Sequence, residues 1–163
     1  MESKEINFSI KVYASAGELE TDDATLLAAA RDTTQYAYAP YSNFLVGAAA
    51  MLANGKIVTG TNQENASYPV GICAERVLLS SVASQYPGMA VNKMAVTYNN
   101  INGDSSKPIS PCGVCRQTLV EYQERTSIPI RMILSGMSGE VYIIENAKQL
   151  LPLSFTSSDL NAR

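Results

Sequence analysis

The sequence predicts an α/β fold, a three-layer α-β-α sandwich around a mixed five-stranded sheet. The chain has 163 residues, the length of one ordinary domain. Hydrophobic residues make up 46% and charged residues 17%, which is a globular composition and not a disordered one. Helix-like and strand-like segments follow one another in the order αββαβαββ. Because helices connect the strands, a mixed sheet with helices on both of its faces is favoured.

Residues 1–20 are predicted to be an N-terminal extension that contains one further strand. Their apolar residues alternate with polar ones, which is the two-residue period of a strand with one buried face. These apolar residues are Ile6, Phe8, Ile10 and Val12. Gly17 and the acidic residues after it end the pattern.

The first helix and the first two strands have clear end signals. Thr21 is expected to cap the helix, with two acidic residues well placed in its first turn, and Pro40 ends it. An apolar strand is predicted over 44–52. Asn54-Gly55, a strong hairpin signal, then turns the chain into a second strand over 56–61.

The remaining elements follow from apolar periodicity and turn residues. Ser110-Pro111 is expected to open a helix, since Ser caps and Pro fits the first helical position. The predicted elements are a helix near 73–85, a strand over 92–98, a helix from 110 to about 125, strands over 128–134 and 140–145, and a short helix over 147–151.

Composition excludes several classes of function. The chain has no histidine, which removes imidazole bases, imidazole metal ligands and Ser-His or Cys-His nucleophile pairs. A formal net charge of −3 makes a nucleic-acid partner unexpected. No apolar run approaches the ~20 residues that span a bilayer, and no signal-peptide pattern opens the chain. We therefore expect a cytoplasmic protein that binds neither membrane nor nucleic acid.

The three cysteines lie in two short fragments that each fall at a predicted helix start, Cys73-Ala74-Glu75 and Pro111-Cys112-Gly113-Val114-Cys115. Cys112 and Cys115 are three residues apart and share one helix face. The positive end of a helix dipole favours the thiolate that a metal requires. Three protein ligands leave one tetrahedral position for water, as in catalytic zinc sites. Glu75 would lie beside that water without being a ligand. The arrangement resembles that of zinc deaminases, with Cys73 in place of their His, and this resemblance implies that Glu75 is a general acid and base.

Other interpretations of these residues stay open at this point. A Cys-x-x-Cys pair also occurs in structural zinc sites and in redox sites, and a single Cys is often an inert buried thiol. Three thiolates on Zn²⁺ sum to −1, so a nearby cation is expected to balance the charge. Arg76 is the first candidate for that role and Arg116 the second.

Five fragments together resemble the small homotetrameric cytidine deaminases, over about residues 24–156. The fragments are Ala39-Pro40-Tyr41-Ser42-Asn43-Phe44 with Val46-Gly47-Ala48-Ala49, Thr59 to Tyr68, Cys73-Ala74-Glu75-Arg76, Ser110 to Gln117, and Leu150 to Phe155. The resemblance implies hydrolytic deamination of cytidine and 2′-deoxycytidine in pyrimidine salvage. It also implies one zinc per chain, held by Cys73, Cys112 and Cys115, with Glu75 as proton shuttle.

The resemblance further implies a homotetramer with shared active sites and a set of residues that bind the nucleoside. Phe44 would stack on the pyrimidine, and Asn62 and Glu64 would bind the ribose 3′-hydroxyl. The residues that would reach a neighbouring subunit's site are Ala66, Tyr68 and Phe155. The catalytic domain would span residues 21–156, followed by a C-terminal tail over 157–163.

Two alternatives to this function remain. One is a deaminase of another aminopyrimidine nucleoside, such as a nucleoside antibiotic, against which the Asn62-x-Glu64 fragment weighs. The other is a zinc-stabilised binding module, which would need a fourth protein ligand and no catalytic glutamate.

Overall fold

The computed structural model describes residues 1–161, which form one mixed sheet and four α-helices. The strands are β1 Lys11–Tyr13, β2 Phe44–Leu52, β3 Ile57–Thr61, β4 Val91–Asn100, β5 Arg131–Ser135 and β6 Val141–Ile144. The helices are α1 Thr21–Thr33, α2 Ala74–Gln85, α3 Gly113–Thr126 and α4 Ser157–Asn161. No helix among these residues is long and apolar enough to cross a membrane.

The predicted α/β class and mixed sheet are confirmed, but the sheet has six strands and not five. Its order is β1-β6-β5-β4-β2-β3. Strands β4 and β5 are parallel, because α3 returns the chain to the same end of the sheet, and the other neighbours are antiparallel. The additional strand is β1, which pairs with the edge of β6.

The core lies in two layers, one on each face of the sheet. Alternate residues of each strand point to opposite faces, which separates the two layers. Helix α1 packs on one face through Leu26, Leu27 and Ala30. Helices α2 and α3 pack on the other through residues such as Leu78 and Leu119. The two metal-ligand fragments therefore begin helices that share one face of the sheet.

Two predicted helix starts shift in the structure. Helix α1 is capped by Glu20 and not by Thr21, since the Glu20 carbonyl accepts the first bond, from Ala24 N–H at 2.9 Å. Helix α3 begins at Gly113 after an extended Cys112, so Ser110 is not its cap. The Ser110 hydroxyl instead accepts a hydrogen bond from the Arg116 guanidinium at 3.0 Å.

The N-terminal extension joins the sheet over a shorter stretch than predicted. Only Lys11–Tyr13 form a strand, which pairs with Val141–Ile143 of β6. Phe8 and Ile10 line a cavity of about 350 Å³ against the sheet and the start of α3. The prediction of one buried face is wrong, because the alternating apolar residues of the extension are all at least 42% exposed, namely Ile6, Phe8, Ile10 and Val12.

Helix α2 is held very close to the neighbouring hairpin strand. A Cβ built on Gly60 would lie 2.7 Å from the Ala74 carbonyl oxygen and 2.7 Å from the Leu78 backbone nitrogen. No side chain fits in that space. Gly60 thus fixes the first turn of α2, and with it Cys73 and Glu75, against β3.

A buried charge cluster joins α1 to the middle of the sheet. The Asp23 side chain is 1% exposed and accepts hydrogen bonds from Lys93 Nζ at 2.7 Å and from Arg131 Nη2 at 2.8 Å. Burial would raise the pKa of Asp23, but the hydrogen bonds and charges of the two cations together lower it. The ionised carboxylate therefore stabilises the folded state.

We expect Asp23→Asn to lower the free energy of unfolding by roughly 1.5–3 kcal/mol at neutral pH, the range for hydrogen bonds to charged groups. The pKa of Asp23 is lower in the folded state than in the unfolded state. The stabilisation by the ionised carboxylate is therefore complete above the unfolded pKa of about 3.9, and it is lost as pH falls through the folded pKa. The difference in melting temperature between wild type and Asp23→Asn should shrink on acidification. Calorimetry on both proteins measures this difference in melting temperature. The control is Asp22→Asn, because Asp22 is the exposed neighbour of Asp23. A difference that stays constant from pH 7 to pH 3 would contradict the assignment.

Candidate active site

Three thiols converge where α2 and α3 begin. Cys73 immediately precedes α2, Cys112 immediately precedes α3, and Cys115 lies in the first turn of α3. The Sγ atoms of Cys73 and Cys112 are 3.8 Å apart, and those of Cys112 and Cys115 are 3.5 Å apart. All three sulfur atoms lie within 4.8 Å of one another, and none forms a disulfide.

The donor set fits one zinc ion per chain. A tetrahedral zinc with Zn–S bonds of about 2.3 Å holds its sulfurs about 3.8 Å apart. The two Sγ–Sγ distances of 3.8 and 3.5 Å are close to that spacing, and all three sulfur atoms lie within 4.8 Å of one another. The cluster found within residues 1–161 consists of these three cysteines alone, so one tetrahedral position is left without a protein ligand.

The pKa values of the thiols favour one thiolate in the protein alone and further thiolates only when a cation is bound. A hydrogen bond from Cys115 is the largest influence on Cys73 and lowers the pKa of Cys73 to about 6, helped by Cys112 and the charge of Arg76. The bond to Cys73, burial and the charge of Glu75 raise the pKa of Cys115. A second and third thiolate are therefore unfavourable in the protein alone, and a bound divalent cation removes that penalty.

Glu75 is a buried carboxyl beside the three thiols. It lies in the first turn of α2, it is 4% exposed, and it lines the same cavity as Cys73 and Cys112. Burial raises the pKa of Glu75, although hydrogen bonds from its own backbone N–H and from Cys115 oppose this effect. A carboxyl with a raised pKa, inside a cavity, has the properties of a general acid and base.

The same cavity, of about 300 Å³, is also lined by Asn62 and Glu64. Asn62 Oδ1 accepts from Val46 N–H at 2.8 Å, and its Nδ2 donates to the Phe44 carbonyl at 2.9 Å. Glu64 Oε2 accepts from the backbone N–H groups of Tyr41 and Ser42 at 2.9 and 3.3 Å. Asn62 is thus held by the first residues of β2, and Glu64 by the loop that precedes β2.

The predicted pyrimidine-stacking residue already has an aromatic neighbour. Phe44 stacks on Tyr98, with ring centroids 4.7 Å apart and an angle of 15° between the planes. Phe44 begins β2 two residues before Val46, which lines the cavity, so both lie on the same face of the sheet. Its second ring face remains the predicted contact for the substrate.

The three residues predicted to reach a neighbouring site lie on the surface of this chain. Tyr68 is 75% exposed, packs edge-on against Tyr41 at 6.0 Å, and lines both this cavity and a second one that it shares with Tyr41. Ala66 is exposed in the same loop. Phe155 is 59% exposed, and its backbone carbonyl accepts a hydrogen bond from Gln117 Nε2 at 2.8 Å. A single chain does not bring Phe155 into its own cavity.

The two candidate charge-balancing arginines differ in their surroundings. Arg76 is half-buried, and its charge lowers the pKa of Cys73. The Arg116 guanidinium donates instead to neutral oxygen atoms of Pro111, Leu150 and Ser110. The role of Arg76 in balancing the charge of the thiolates stays a prediction.

Sequence reasoning missed several residues that shape the site. Tyr41 and Ser42 orient Glu64 through their backbone N–H groups. Any residue type except proline has such a group, so the side chains gave no indication of this role, although both residues lie in one of the fragments that resemble the family. Val96 and Ile109 line the cavity with apolar surface. Val96 looks like any other core residue of a strand, and Ile109 lies in a loop. No sequence pattern would have assigned either of them.

A layered α/β fold with a cluster of three thiols at two helix starts, and a cavity lined by two of them and by a buried glutamate, is typical of a class of metal-dependent hydrolytic enzymes. A sequence model described as cytidine and deoxycytidylate deaminase zinc-binding region matches residues 20–129. The chain belongs to this family of zinc-binding deaminases, as the five sequence fragments predicted.

Individual relatives agree with this assignment. The chain is 34% identical over 140 residues to a cytidine deaminase of Halalkalibacterium halodurans, covering 86% of this chain and 98% of the relative. It is 36% identical over 135 residues to a probable cytidine deaminase of Dictyostelium discoideum, covering 83% of this chain and 84% of the relative. The crystal structure of cytidine deaminase from Burkholderia pseudomallei superimposes with a TM-score of 0.69 at 41% identity, covering 80% of this chain and 97% of that one.

Proposed function

We propose that the chain hydrolyses cytidine and 2′-deoxycytidine to uridine and 2′-deoxyuridine with release of ammonia. The observation that supports this most is that one cavity is lined by two thiols of the three-cysteine cluster, by the buried Glu75 and by the oriented residues Asn62 and Glu64. The thiols and Glu75 have the chemistry for hydrolysis of an amidine C–N bond. Asn62 and Glu64 have hydrogen-bonding groups for a sugar hydroxyl.

Cys73, Cys112 and Cys115 would hold the zinc ion, which supplies an acidified water as the nucleophile when it is bound. Glu75 is the residue that moves protons. Its carboxylate accepts one proton from the attacking water and passes it to N3 of the pyrimidine. It then accepts the remaining proton of the new C4 hydroxyl group and passes it to the leaving amine, which departs as ammonia. Its burial keeps water from competing for these protons, and its raised pKa brings its two protonation states closer in energy.

The sugar-binding role falls to Asn62 and Glu64. The backbone bonds of each side chain leave further capacity, since Asn62 Nδ2 has a second hydrogen and Glu64 has a second oxygen. Hydrogen bonds from the Ser42 side chain and from the backbone of Tyr41 and Ser42 lower the pKa of Glu64. Glu64 is therefore an ionised acceptor at neutral pH, suited to a ribose hydroxyl.

We expect Glu64→Ala to raise KM for cytidine by roughly 10–150-fold, the equivalent of one charged hydrogen bond. Free cytosine has no sugar and serves as the internal control: its kcat/KM should be low in the wild type and unchanged by the substitution. Loss of absorbance on deamination measures both substrates. Similar kcat/KM for cytosine and cytidine in the wild-type enzyme would refute the nucleoside assignment.

Two features support a homotetramer with shared sites as the functional assembly. Phe155 and Tyr68 are large aromatic residues that one chain leaves mostly exposed. Burial of such a side chain is worth about 1.5–3 kcal/mol, which a neighbouring subunit's cavity would provide. Ala66 would contact the neighbour beside Tyr68.

The shared-site proposal makes a prediction that can be tested by subunit mixing. Phe155→Ala should raise KM, Glu75→Gln should be inactive, and their mixture should recover part of the activity, because some hybrid sites carry neither lesion. Sedimentation should give four chains per particle. A monomer with full activity at the assay concentration would rule out shared sites.

The proposed function also assigns the domain bounds, the charge balance at the metal and the compartment. Residues 21–156 form the catalytic domain, with residues 1–20 as an added cover and residues 157–163 as a tail, whose last two residues lie outside the described part. Arg76 balances the charge of the thiolates. Ligand thiols that must stay reduced suit the cytoplasm, and salvage of pyrimidines is the family's usual task.

A further inference from the structure

Arg116 makes contacts that the reaction described above does not use. Its side chain is partly buried, and in the described part of the chain it forms no ion pair. Its guanidinium donates from Nε to the Pro111 carbonyl at 2.8 Å, from Nη2 to Ser110 Oγ at 3.0 Å, and from Nη1 to the Leu150 carbonyl at 3.1 Å. One planar group therefore joins two separate parts of the chain.

The first part is the metal loop, residues 110–112. Ser110 and Pro111 immediately precede the ligand Cys112, and Ser110 and Cys112 both line the active-site cavity. Arg116 itself follows the ligand Cys115, and its backbone N–H donates to the Cys112 carbonyl at 2.9 Å. The arginine therefore fixes the short segment that determines where the Cys112 sulfur lies.

The second part is the C-terminal segment, residues 150–155, which ends at Phe155. Arg116 holds its first residue through the Leu150 carbonyl. The adjacent Gln117 holds its last residue through the Phe155 carbonyl, at 2.8 Å. Both ends of the segment are therefore bonded to the first two turns of α3, directly behind the metal ligands.

We propose that Arg116 is a positioning residue that couples the metal loop to the C-terminal segment, so that metal retention and the placement of Phe155 depend on one side chain. The inference rests on the proposed function, because it concerns the same site. The forked geometry of arginine is required, since the three acceptors lie on three residues of two segments. A lysine has a single nitrogen and cannot reach both segments in the same way.

Zinc release to a colorimetric chelator is the first test, because it does not depend on activity. Substitution of groups that orient metal ligands typically costs 10–100-fold in metal affinity or activity. We expect zinc to leave Arg116→Gln about 10–100-fold faster than wild type, and Arg116→Lys at an intermediate rate. Both variants should also raise KM for cytidine more than they lower kcat. The matched control is Arg125→Lys, an exposed arginine of the same helix, which should release zinc at the wild-type rate.

A fluorescent reporter tests the coupling itself. The chain contains no tryptophan, so Phe155→Trp introduces a single one at the end of the C-terminal segment. Removal of zinc should shift the emission maximum and anisotropy of this reporter. In the double variant with Arg116→Gln, the reporter should no longer respond to zinc.

The outcomes separate this inference from the proposed function. If cytidine is not a substrate, zinc release and the reporter still decide whether Arg116 couples the two segments. A variant that only loses thermal stability, with wild-type zinc release and an unchanged reporter response, would overturn the inference and leave the activity untouched. Arg116→Lys provides the same measurements if Arg116→Gln does not fold.

Discussion

Replacement of Glu75 by glutamine should lower kcat for cytidine by about 10²–10⁴-fold, the range for loss of a general acid and base. Glutamine keeps the shape of the side chain but cannot take up and release a proton. Because Glu75 is 4% exposed and burial raises its pKa, its charge is costly in the folded state. The amide avoids that cost. The melting temperature should therefore stay level or rise, and zinc should remain at one per chain.

Three measurements distinguish a catalytic role of Glu75 from a structural one. They are the initial rate, the zinc content and the melting temperature. The matched control is Glu121→Gln, since Glu121 is a half-buried glutamate of α3 whose side chain pairs with the exposed Arg125. It should behave as wild type in all three. A Glu75→Gln enzyme within threefold of the wild-type kcat, with full zinc content, would disprove the proton-shuttle role.

Loss of a metal-ligand thiol should abolish zinc binding and activity together. Cys115 is fully buried in the first turn of α3, and Cys115→Ser leaves two sulfur donors and a hydroxyl that ionises far less readily than a thiol. Metal binding stabilises the folded state, so the melting temperature should also fall. Chelator-treated wild type should show the same loss, and its activity should return when zinc is added.

Elemental analysis per chain, together with the loss of cytidine absorbance, measures this effect. Val114→Ala is the matched control, because Val114 lies between the two ligands but is exposed, and it should keep both zinc and activity. Wild-type turnover in a preparation shown to be free of metal would end the zinc assignment.

Apart from the strand count, the sequence predicted the fold well where local signals were strong. The Asn54-Gly55 turn appears as expected, with Gly55 at a φ of 79° and Gly55 N–H bonded to the Leu52 carbonyl at 2.9 Å. The strand over 44–52 has the predicted bounds. Helix starts were less certain, because Ser110 has the residue type of a cap but is bonded by Arg116 in the tertiary structure.

The metal site was predictable because its chemistry needs rare residues at fixed spacings. With no histidine and three cysteines, the ligand set could be named from residue type and order, and the structure brings the three sulfur atoms together. The nucleoside-binding residues are different. Asn62 and Glu64 lie in an ordinary polar loop, and only a resemblance to a family gave them roles.

The sequence by itself determined the kinds of element and the ligand set, because periodicity, turn residues and thiol chemistry act over a few neighbouring residues. The catalytic acid, Glu75, stays a prediction. Only the tertiary structure decided what Arg116 bonds, how Glu64 is oriented, and that β1 adds a sixth strand. These features join residues that lie from 5 to more than 100 positions apart. Their free energy comes from packing and hydrogen bonds between segments, which no local pattern of residues encodes.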